Sequence, residues 1–422
     1  MSKKDSVAAV PKYRFPEFAL DASIDYVAGG FLFDPITNRN HHADLPILAI
    51  TQEYGAIPRD EIDYRVSVTK KSLKAYKIVE KGDFIISLRS FQGGIEYSMY
   101  DGICSPAYII LRKKTNIIDQ YYKYYFKSHR FIQDLNKDLE GIRDGKMISY
   151  SQFSSILLPK PYEEEQQKIA DCLFSIDDLI STEEKKLSLL NDYKKGWMQK
   201  LFPAEGKTVP EWRFPEFKDS EEWAQKKLDE IGKFIRGFSY SSQDTTDDKT
   251  KLLIIRSNNI VPMGKTDYIN NLRYVNKKCS KEQSLIFGDI TICMANGSSN
   301  LIGKSSFYDG GYAGDITVGA FCGIFRSPLP IVRYLFQTNQ YSRELQRVSQ
   351  GGDGAIANLK EIDIKNIEFL LPTLPEEQEK IADFLFGIDD LIIRQTNKIE
   401  ALKQHKTALM QGLFPSIEEV WK

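Results

Sequence analysis

The chain has 422 residues, of which 42% are hydrophobic and 27% charged, and its net charge is −1. The length predicts two to four domains, and the composition predicts a globular protein and excludes long disordered or collagen-like segments. No apolar run reaches the about 18 residues of a membrane helix, and the N-terminal residues lack the apolar core of a secretory signal. The five cysteines, with no CxxC pair, and four histidines argue against a disulfide framework and a metal site. We therefore expect a cytoplasmic protein that does not contact membranes.

The first part of the chain opens with PKYRFPEF (Pro11–Phe18) and continues with short runs of β-branched and aromatic residues. Two of these runs, Asp83–Arg89 and Ala107–Arg112, are predicted strands because turn-forming residues bound them. A helical stretch follows at Ile117–Leu139. The adjacent His41 and His42 lie in a polar loop and are interpreted as solvated.

A long helix comes next, beginning in EEEQQKIADCLFSIDDLI (Glu163–Ile180) and ending at the proline of LFP. Acidic residues crowd its first turn, where the helix dipole favours them. Glu183–Lys186 (EEKK) is interpreted as a solvated face of this helix. About 38 residues at ~1.5 Å each predict a rod of roughly 57 Å.

The second part of the chain repeats this plan. PEWRFPEF (Pro210–Phe217) leads in, and three strands are predicted at Lys251–Ser257, Asp289–Met294 and Ala320–Phe325. A helical stretch at Leu329–Ser349 corresponds to the one in the first part. The second long helix begins in PEEQEKIADFLFGIDDLI (Pro375–Ile392).

The two long helices match without a gap at an offset of 212 residues, which chance cannot produce. Apolar residues at steps of three, four and seven form one seam on each helix, as in a coiled coil. The seam positions are Ile169, Leu173, Ile176, Ile180, Leu187, Leu190, Trp197 and Leu201, and then Ile381, Leu385, Ile388, Ile392, Ile399, Leu402, Leu409 and Leu413. The simplest partner for each seam is the other helix, although a long core helix within a single domain is the alternative.

The sequence contains none of the common catalytic motifs. GSSNLIGKS (Gly297–Ser305) has five residues between its glycines where a phosphate loop needs four, so we interpret it as a hairpin loop followed by a strand. No GxGxxG turn, adenine-methylating loop, GxSxG elbow or HExxH helix occurs. We therefore expect no catalytic residues and no metal ligands.

Polar residues in loops are the remaining candidates for chemistry. Arg, Asn and Gln can read base edges, and Ser and Tyr hydroxyls can hold phosphates, although the same residues also make ordinary turns. The candidate DNA contacts are Asn38, Arg39, Arg89, Ser90, Gln92, Arg143 and Lys146 in the first half, and Arg236, Ser239, Tyr240, Arg256, Asn258, Asn296, Ser298 and Asn300 in the second.

The chain resembles the specificity subunit of type I restriction–modification systems. The resemblance rests on two variable domains, each closed by a helix that begins EEQ..IA and ends M..LF: EEQQKIADCLFSIDDLI…WMQKLFP and EEQEKIADFLFGIDDLI…LMQGLFP. YKIVEKGDFI (Tyr76–Ile85) and DGICSPAYIILR (Asp101–Arg112) also resemble one subtype of recognition domain.

This resemblance implies an α+β fold with two tandem α/β target-recognition domains and two long antiparallel coiled-coil helices, related by a pseudo-twofold repeat. We expect the domains at 1–158 and 204–371 and the helices at 159–203 and 372–422. Each domain would read half of a split site in double-stranded DNA. The chain would have no cofactor and no catalysis of its own. Two methyltransferase subunits and motor-nuclease subunits would join it and bring S-adenosylmethionine, ATP and magnesium.

The helices carry more charged and aromatic residues than one seam can bury. We expect these positions to dock the methyltransferase subunits: Glu164, Phe174, Trp197, Glu377, Phe384 and Phe386. Two other classes of protein remain open, a scaffold that binds only proteins and a single-chain DNA methyltransferase or nuclease. Loss of binding that is linear in the logarithm of salt concentration would distinguish DNA binding from the scaffold.

Overall fold

The computed structural model describes residues 8–21, 23–41, 45–62, 70–137, 148–262, 264–297, 301–349 and 358–415. The chain forms two compact units. Unit 1 contains Met1–Lys185 with Thr396–Lys422, and unit 2 contains Lys186–Gln395. Each unit therefore takes half of each long helix. No helix in the described ranges is long and apolar enough to cross a membrane.

Unit 1 mixes short strands and short helices. Its strands are β1 (Ala8–Ala9), β2 (Ile24–Ala28), β3 (Phe33–Ile36), β4 (Leu48–Thr51), β5 (Gly55–Pro58), β6 (Lys77–Val79), β7 (Phe84–Ile86), β8 (Glu96–Tyr97), β9 (Gly102–Cys104), β10 (Ile109–Lys113) and β11 (Leu157–Lys160). Its short helices are α1 (Gly29–Leu32), α2 (Lys70–Leu73), α3 (Ser90–Gly93), α4 (Asp119–Tyr125), α5 (His129–Asn136) and α6 (Tyr150–Ser155). The first long helix, α7, spans Glu163–Leu201.

Unit 2 follows the same order. Its strands are β12 (Ala224–Lys227), β13 (Lys233–Arg236), β14 (Thr245–Thr246), β15 (Leu252–Ile255), β16 (Arg273–Val275), β17 (Ile290–Cys293), β18 (Ser305–Phe307), β19 (Ile316–Val318), β20 (Cys322–Arg326) and β21 (Glu368–Leu371). Its short helices are α8 (Leu228–Ile231), α9 (Val332–Leu335), α10 (Asn339–Ser349) and α11 (Glu361–Lys365), and the second long helix, α12, spans Pro375–Leu413. The five strands predicted from sequence are confirmed as β7, β10, β15, β17 and β20.

The central sheets of the two units have the same topology. The strand order is β3-β10-β7-β8 in unit 1 and β13-β20-β17-β18 in unit 2, with antiparallel pairing throughout both sheets. The surrounding strands differ. Unit 2 adds a sheet of order β14-β16-β15-β19 with one parallel pair, whereas unit 1 has the two-stranded pairs β4-β5 and β6-β9. The central sheet therefore repeats in both units, whereas the strands around it differ.

A buried ion pair recurs in each central sheet. Asp83, which is 1% exposed, accepts from Arg112 Nε and Nη2 at 2.8 Å each. Asp289, also 1% exposed, accepts from Arg326 Nε and Nη2 at 2.7 Å each. The glycine before each aspartate has positive φ, 98° at Gly82 and 96° at Gly288, a conformation that suits glycine. Each Gly-Asp pair thus forms the same turn, and its aspartate binds an arginine of the neighbouring strand in the sheet.

The seams of the long helices are covered within each unit. All sixteen predicted seam positions are buried or half-buried. In unit 1, Lys406 of α12 pairs with Asp177 of α7 at 2.5 Å. In unit 2, Lys194 of α7 pairs with Asp389 of α12 at 2.8 Å. Both pairs sit on antiparallel helix segments, and the repeat offset relates one to the other.

The two lead-in segments, Pro11–Phe18 and Pro210–Phe217, each contact both long helices of their own unit. These contacts account for the repetition of the segment. Tyr13 N–H donates to Gly412 O at 2.8 Å, and Trp212 N–H donates to Lys200 O at 3.0 Å. These bonds satisfy carbonyls that a helix C-terminus otherwise leaves unpaired. A Cβ at Gly412 would lie 2.0 Å from the Tyr13 ring, so any larger residue there would force that ring to move. The lead-in arginine then reaches the start of the other helix, as described below.

Three sequence predictions needed correction. The helical stretches at Ile117–Leu139 and Leu329–Ser349 are each two helices, α4–α5 and α9–α10. In the first, the break comes at Ser128, whose side chain caps α5 by accepting from Phe131 N–H. The EEKK segment is not entirely solvated, because Glu183 is 8% exposed and binds Lys398.

Candidate nucleic-acid interface

Unit 2 contains a groove of about 1020 Å³ at one edge of its strands. Strands β13 and β17 end at this edge and β20 begins there, because β20 runs antiparallel to both. Strands β15 and β19 are parallel and end together at the same edge. The loops that follow or precede these strands therefore converge, although they are distant in sequence.

Five candidate DNA-contact residues of the second half line this groove: Ser239, Tyr240, Arg256, Asn258 and Asn296. The side chain of Asn258 is exposed. Arg256 is held by a 2.8 Å bond from Nη2 to the carbonyl of Asn271, and Asn296 Nδ2 donates to Ser257 Oγ at 2.9 Å. The groove thus collects amide, guanidinium and hydroxyl groups, which are the groups that read bases and hold phosphates.

Local turns hold these side chains in place. Asn271 has φ of 51°, a left-handed conformation that asparagine tolerates, and this kink supports the carbonyl that accepts from Arg256. At the groove rim, Asp244 accepts from Ser241 N–H and Oγ at 2.7 Å each. Its bond with Lys277, together with these turn donors, lowers the pKa of Asp244 to about 2. The carboxylate at the rim is therefore compensated by a cation.

The structure does not place the other three candidate DNA contacts of the second half in this groove. Arg236 does not line the groove, and its exposed side chain binds Glu361 at 2.9 Å. Ser298 and Asn300 lie outside the described residues. The lining residues that the sequence analysis does not propose include Ser257, Arg273, Phe321 and Asn358. The first of these could have been found, because it lies within the loop that supplied Arg256 and Asn258.

In unit 1, the candidate residues follow strands at the equivalent sheet edge. Asn38 and Arg39 come after β3, and Arg89 and Gln92 come after β7, and all four are exposed. Gln52 follows β4, and its Nε2 donates to Arg89 O at 3.2 Å. This loop arrangement parallels the convergence seen in unit 2.

Ser90 does not fit a DNA contact, because it is 1% exposed and its Oγ accepts from Ser87 N–H at 2.9 Å. The hydroxyl is used within the turn that ends β7, so the structure contradicts that prediction. Arg143 and Lys146 lie outside the described residues. Within the described ranges, no cluster of His, Cys, Asp and Glu could hold a metal ion.

The predicted docking residues on the helices divide into two groups. Glu164, Phe174 and Phe386 are exposed, the two phenylalanines at 59% and 50%. Phe174 and Phe386 are related by the 212-residue offset, so each helix presents an aromatic ring at the same position of the repeat.

The other three docking predictions need correction. Glu377 is 0% exposed and accepts from Arg213 Nε and Nη2 at 2.7 Å each. Trp197 and Phe384 pack on each other, with ring centroids 4.9 Å apart. Trp212 lies 5.0 Å from Trp197 in the same aromatic cluster. The lead-in segment buries Glu377 and leaves Trp197 and Phe384 half-buried, because its aromatic side chains pack in the same cluster.

Comparison with known proteins identifies the family that the chain matches. Residues 35–192 and 220–404 match the family described as "Type I restriction modification DNA specificity domain". The chain is 27% identical over 365 residues to the type I restriction enzyme MjaVIII specificity subunit of Methanocaldococcus jannaschii, covering 83% of this chain and 81% of the relative.

The fold is also that of a solved structure. The type I restriction-modification S subunit of M. genitalium aligns with a TM-score of 0.56 at 13% identity, covering 96% of this chain and 99% of that one. A chain from a structure of type I R-M complex assembly aligns with a TM-score of 0.50 at 16% identity, covering 92% and 97%. At these identities, the likeness concerns the fold alone.

Proposed function

Because the chain belongs to the family of type I restriction-modification DNA specificity proteins, we propose that it is the non-catalytic DNA-recognition subunit of such a complex. It binds a bipartite, asymmetric site in double-stranded DNA, one half-site per unit. It directs adenine methylation and cleavage by partner subunits. Two methyltransferase subunits and motor-nuclease subunits are the partners, and they supply S-adenosylmethionine, ATP and magnesium. The complex acts on cellular DNA in the cytoplasm.

One observation carries this proposal. The two central sheets share a strand order and an Arg–Asp ion pair, yet the loops at their equivalent edges carry different side chains. Asn38 and Arg39 follow β3, whereas Ser239 and Tyr240 follow the equivalent β13. A shared scaffold with different reading loops is what two half-sites of different sequence require, because direct readout depends on side chains that face base edges.

Two DNA-recognition domains on one chain also give a higher sequence specificity than one domain can. Each good bidentate contact contributes about 1–3 kcal/mol of discrimination against a wrong base. The free energies of two domains add when the helices hold both on one chain. Half-site spacing then becomes part of the recognised sequence, as it is for other two-headed DNA-binding proteins.

The helices support partner docking at two equivalent places. Phe174 and Phe386 are large apolar side chains that the fold leaves exposed, and the repeat relates one to the other. Two copies of one methyltransferase subunit would meet the same local surface on each helix. We therefore assign docking to these two positions and to the exposed Glu164, in place of Trp197, Phe384 and Glu377.

The proposal is tested by mapping methylated adenines in cells that express the chain with its partner subunits. The expected result is one motif of two short half-sites separated by unread base pairs, which disappears when the chain is deleted. A contiguous motif, or methylation that persists without the chain, would contradict the proposal. The purified chain alone, given S-adenosylmethionine, should not methylate DNA.

Binding by the complex should also weaken linearly with the logarithm of salt concentration, since phosphate contacts release counterions. A scaffold that binds only proteins would show no such dependence on a DNA probe. This measurement separates DNA recognition from the alternative in which the two units contact only protein.

A further inference from the structure

Phe321 is an exposed aromatic residue at the rim of the groove in unit 2. Its side chain is 72% exposed, and it lines the groove together with Arg256, Asn258 and Asn296. Single apolar residues on a surface are common and need no explanation by themselves. Phe321 differs from such residues in its location, because the side chains around it are of the types that read DNA bases.

The backbone fixes Phe321 in this exposed position. The turn that carries it is closed by Cys322 N–H donating to Gly319 O at 2.8 Å. Phe321 O accepts from Met294 N–H at 2.9 Å and from Ala295 N–H at 3.1 Å. Gly319 N–H in turn donates to Ile255 O at 2.8 Å. The turn is therefore tied to β17 and β15, and the ring is presented to solvent by a rigid support.

The equivalent turn of unit 1 is closed by the same kind of hydrogen bond and carries a different side chain. Tyr108 N–H donates to Ser105 O at 3.1 Å, as Cys322 N–H does to Gly319 O. Aligning Arg112 with Arg326, which bind the equivalent aspartates, places Ala107 at the position of Phe321. The scaffold keeps the turn while the side chain changes, which is the pattern expected of a position that sets specificity.

We propose that Phe321 is a specificity-determining residue that contacts the 5-methyl group of a thymine in the half-site read by unit 2. The polar groove residues can pair with hydrogen-bonding groups of bases, and the thymine methyl is the apolar group on the major-groove edge. This inference rests on the proposed function. Under that function the recognised site contains thymine, because each methylated adenine pairs with one.

The test uses the chain assembled with its methyltransferase subunits and duplexes of the sequence found by methylation mapping. Each thymine of the half-site read by unit 2 is replaced in turn by deoxyuridine, which lacks only the methyl group. Affinities are measured for the unaltered chain, for Phe321→Ala and for Ile362→Ala. Ile362 is the matched control, since it is 55% exposed in the same unit and does not line the groove.

For the unaltered chain and Ile362→Ala, deoxyuridine at one position should weaken binding about fourfold, the effect of one buried methyl group. Phe321→Ala should bind the thymine duplex more weakly and show no further loss with deoxyuridine. The inference is overturned if Phe321→Ala keeps the deoxyuridine effect, or if the unaltered chain shows none. The inference is likewise overturned if Phe321→Ala weakens binding to every duplex alike, as expected of a wedge inserted between bases.

The same measurements distinguish failure of the proposed function from failure of this inference. If the unaltered chain does not distinguish the mapped sequence from a scrambled duplex, the chain is not the DNA reader and both proposals fall. If it does distinguish them but no thymine methyl matters, only the role of Phe321 is lost.

Discussion

Arg213 binds both carboxylate oxygens of Glu377, with Nε–Oε1 and Nη2–Oε2 distances of 2.7 Å. Arg14 binds Glu165 in the same way, at 2.8 Å for both contacts. In each pair the arginine comes from the RFPEF lead-in and the glutamate from the first turn of a long helix. Both glutamates are 0% exposed, and the carboxylate raises the pKa of the Arg213 guanidinium. This ion pair is the reason why the two sequence motifs recur together.

Breaking the Arg213–Glu377 pair should destabilise the protein. Arg213→Ala leaves a buried carboxylate without its partner, and we expect a loss of about 3–5 kcal/mol in the free energy of unfolding. Arg213→Lys should also lose stability, because an ammonium cannot make the two parallel bonds. Denaturant unfolding measures the effect. Glu216→Ala, which removes the exposed partner of Lys380 in the same lead-in motif, should leave the unfolding midpoint nearly unchanged.

Partner docking should depend on the two exposed phenylalanines. We expect Phe174→Ala and Phe386→Ala each to weaken one methyltransferase site by about 2 kcal/mol, or about 30-fold, the value of one buried phenylalanine. The double variant should lose both partners. Quantitative co-purification measures the stoichiometry, with Leu189→Ala, 69% exposed on α7, as the matched control. Full assembly in the double variant would place docking elsewhere.

Groove residues should matter for sequence choice, and exposed residues outside the groove should not. Asn258→Ala removes an exposed amide of the groove, and we expect it to cost about 1–3 kcal/mol of discrimination at one base pair. Arg236→Ala removes an exposed guanidinium that binds Glu361 outside the groove, so the recognised sequence should stay the same. Binding to duplexes with each base pair changed in turn compares the two variants. Equal effects of both variants would argue against the groove.

The helices should set the gap between half-sites. The chain passes between the units after Lys185 and after Gln395, so both helices must be lengthened together to keep their antiparallel register. Four residues inserted at each place add ~6 Å, which is about one or two base pairs at ~3.4 Å each. Four residues are close to one turn, so the seam should survive with a local stutter.

Methylation mapping of this double insertion should give the same half-sites with one or two more unread base pairs between them. Insertion in α7 alone is the control, and it should impair assembly because it shifts one seam against the other. An unchanged gap in the double insertion would mean that the partner subunits set the distance.

The elements predicted well from sequence are those with a local pattern. The seams of α7 and α12 follow from spacing within each helix, and the strands follow from short apolar runs between turn residues. The Arg14–Glu165 pair could not be predicted in this way, because its members are 151 residues apart. For the same reason Glu377 was assigned to an exposed face, since nothing near it in sequence reveals that Arg213 covers it.

The candidate site was predicted in part because its polar residues follow strands. Asn258 and Asn296 follow different strands, and only the topology brings their loops to one edge. Phe321 is not evident from the sequence, because the apolar run Ala320–Phe325 predicts a single strand. The observed strand β20 begins at Cys322, which leaves the phenylalanine in the preceding turn and exposed.

The central claim is that the two units read DNA independently, and exchange of one domain tests it most directly. Residues 19–158 are replaced by the corresponding segment of another specificity subunit, and methylated adenines are mapped in cells that express the hybrid with its partner subunits. The account predicts that one half-site changes while the other half-site and the gap are retained. A change in both half-sites together, or in neither, would contradict the claim.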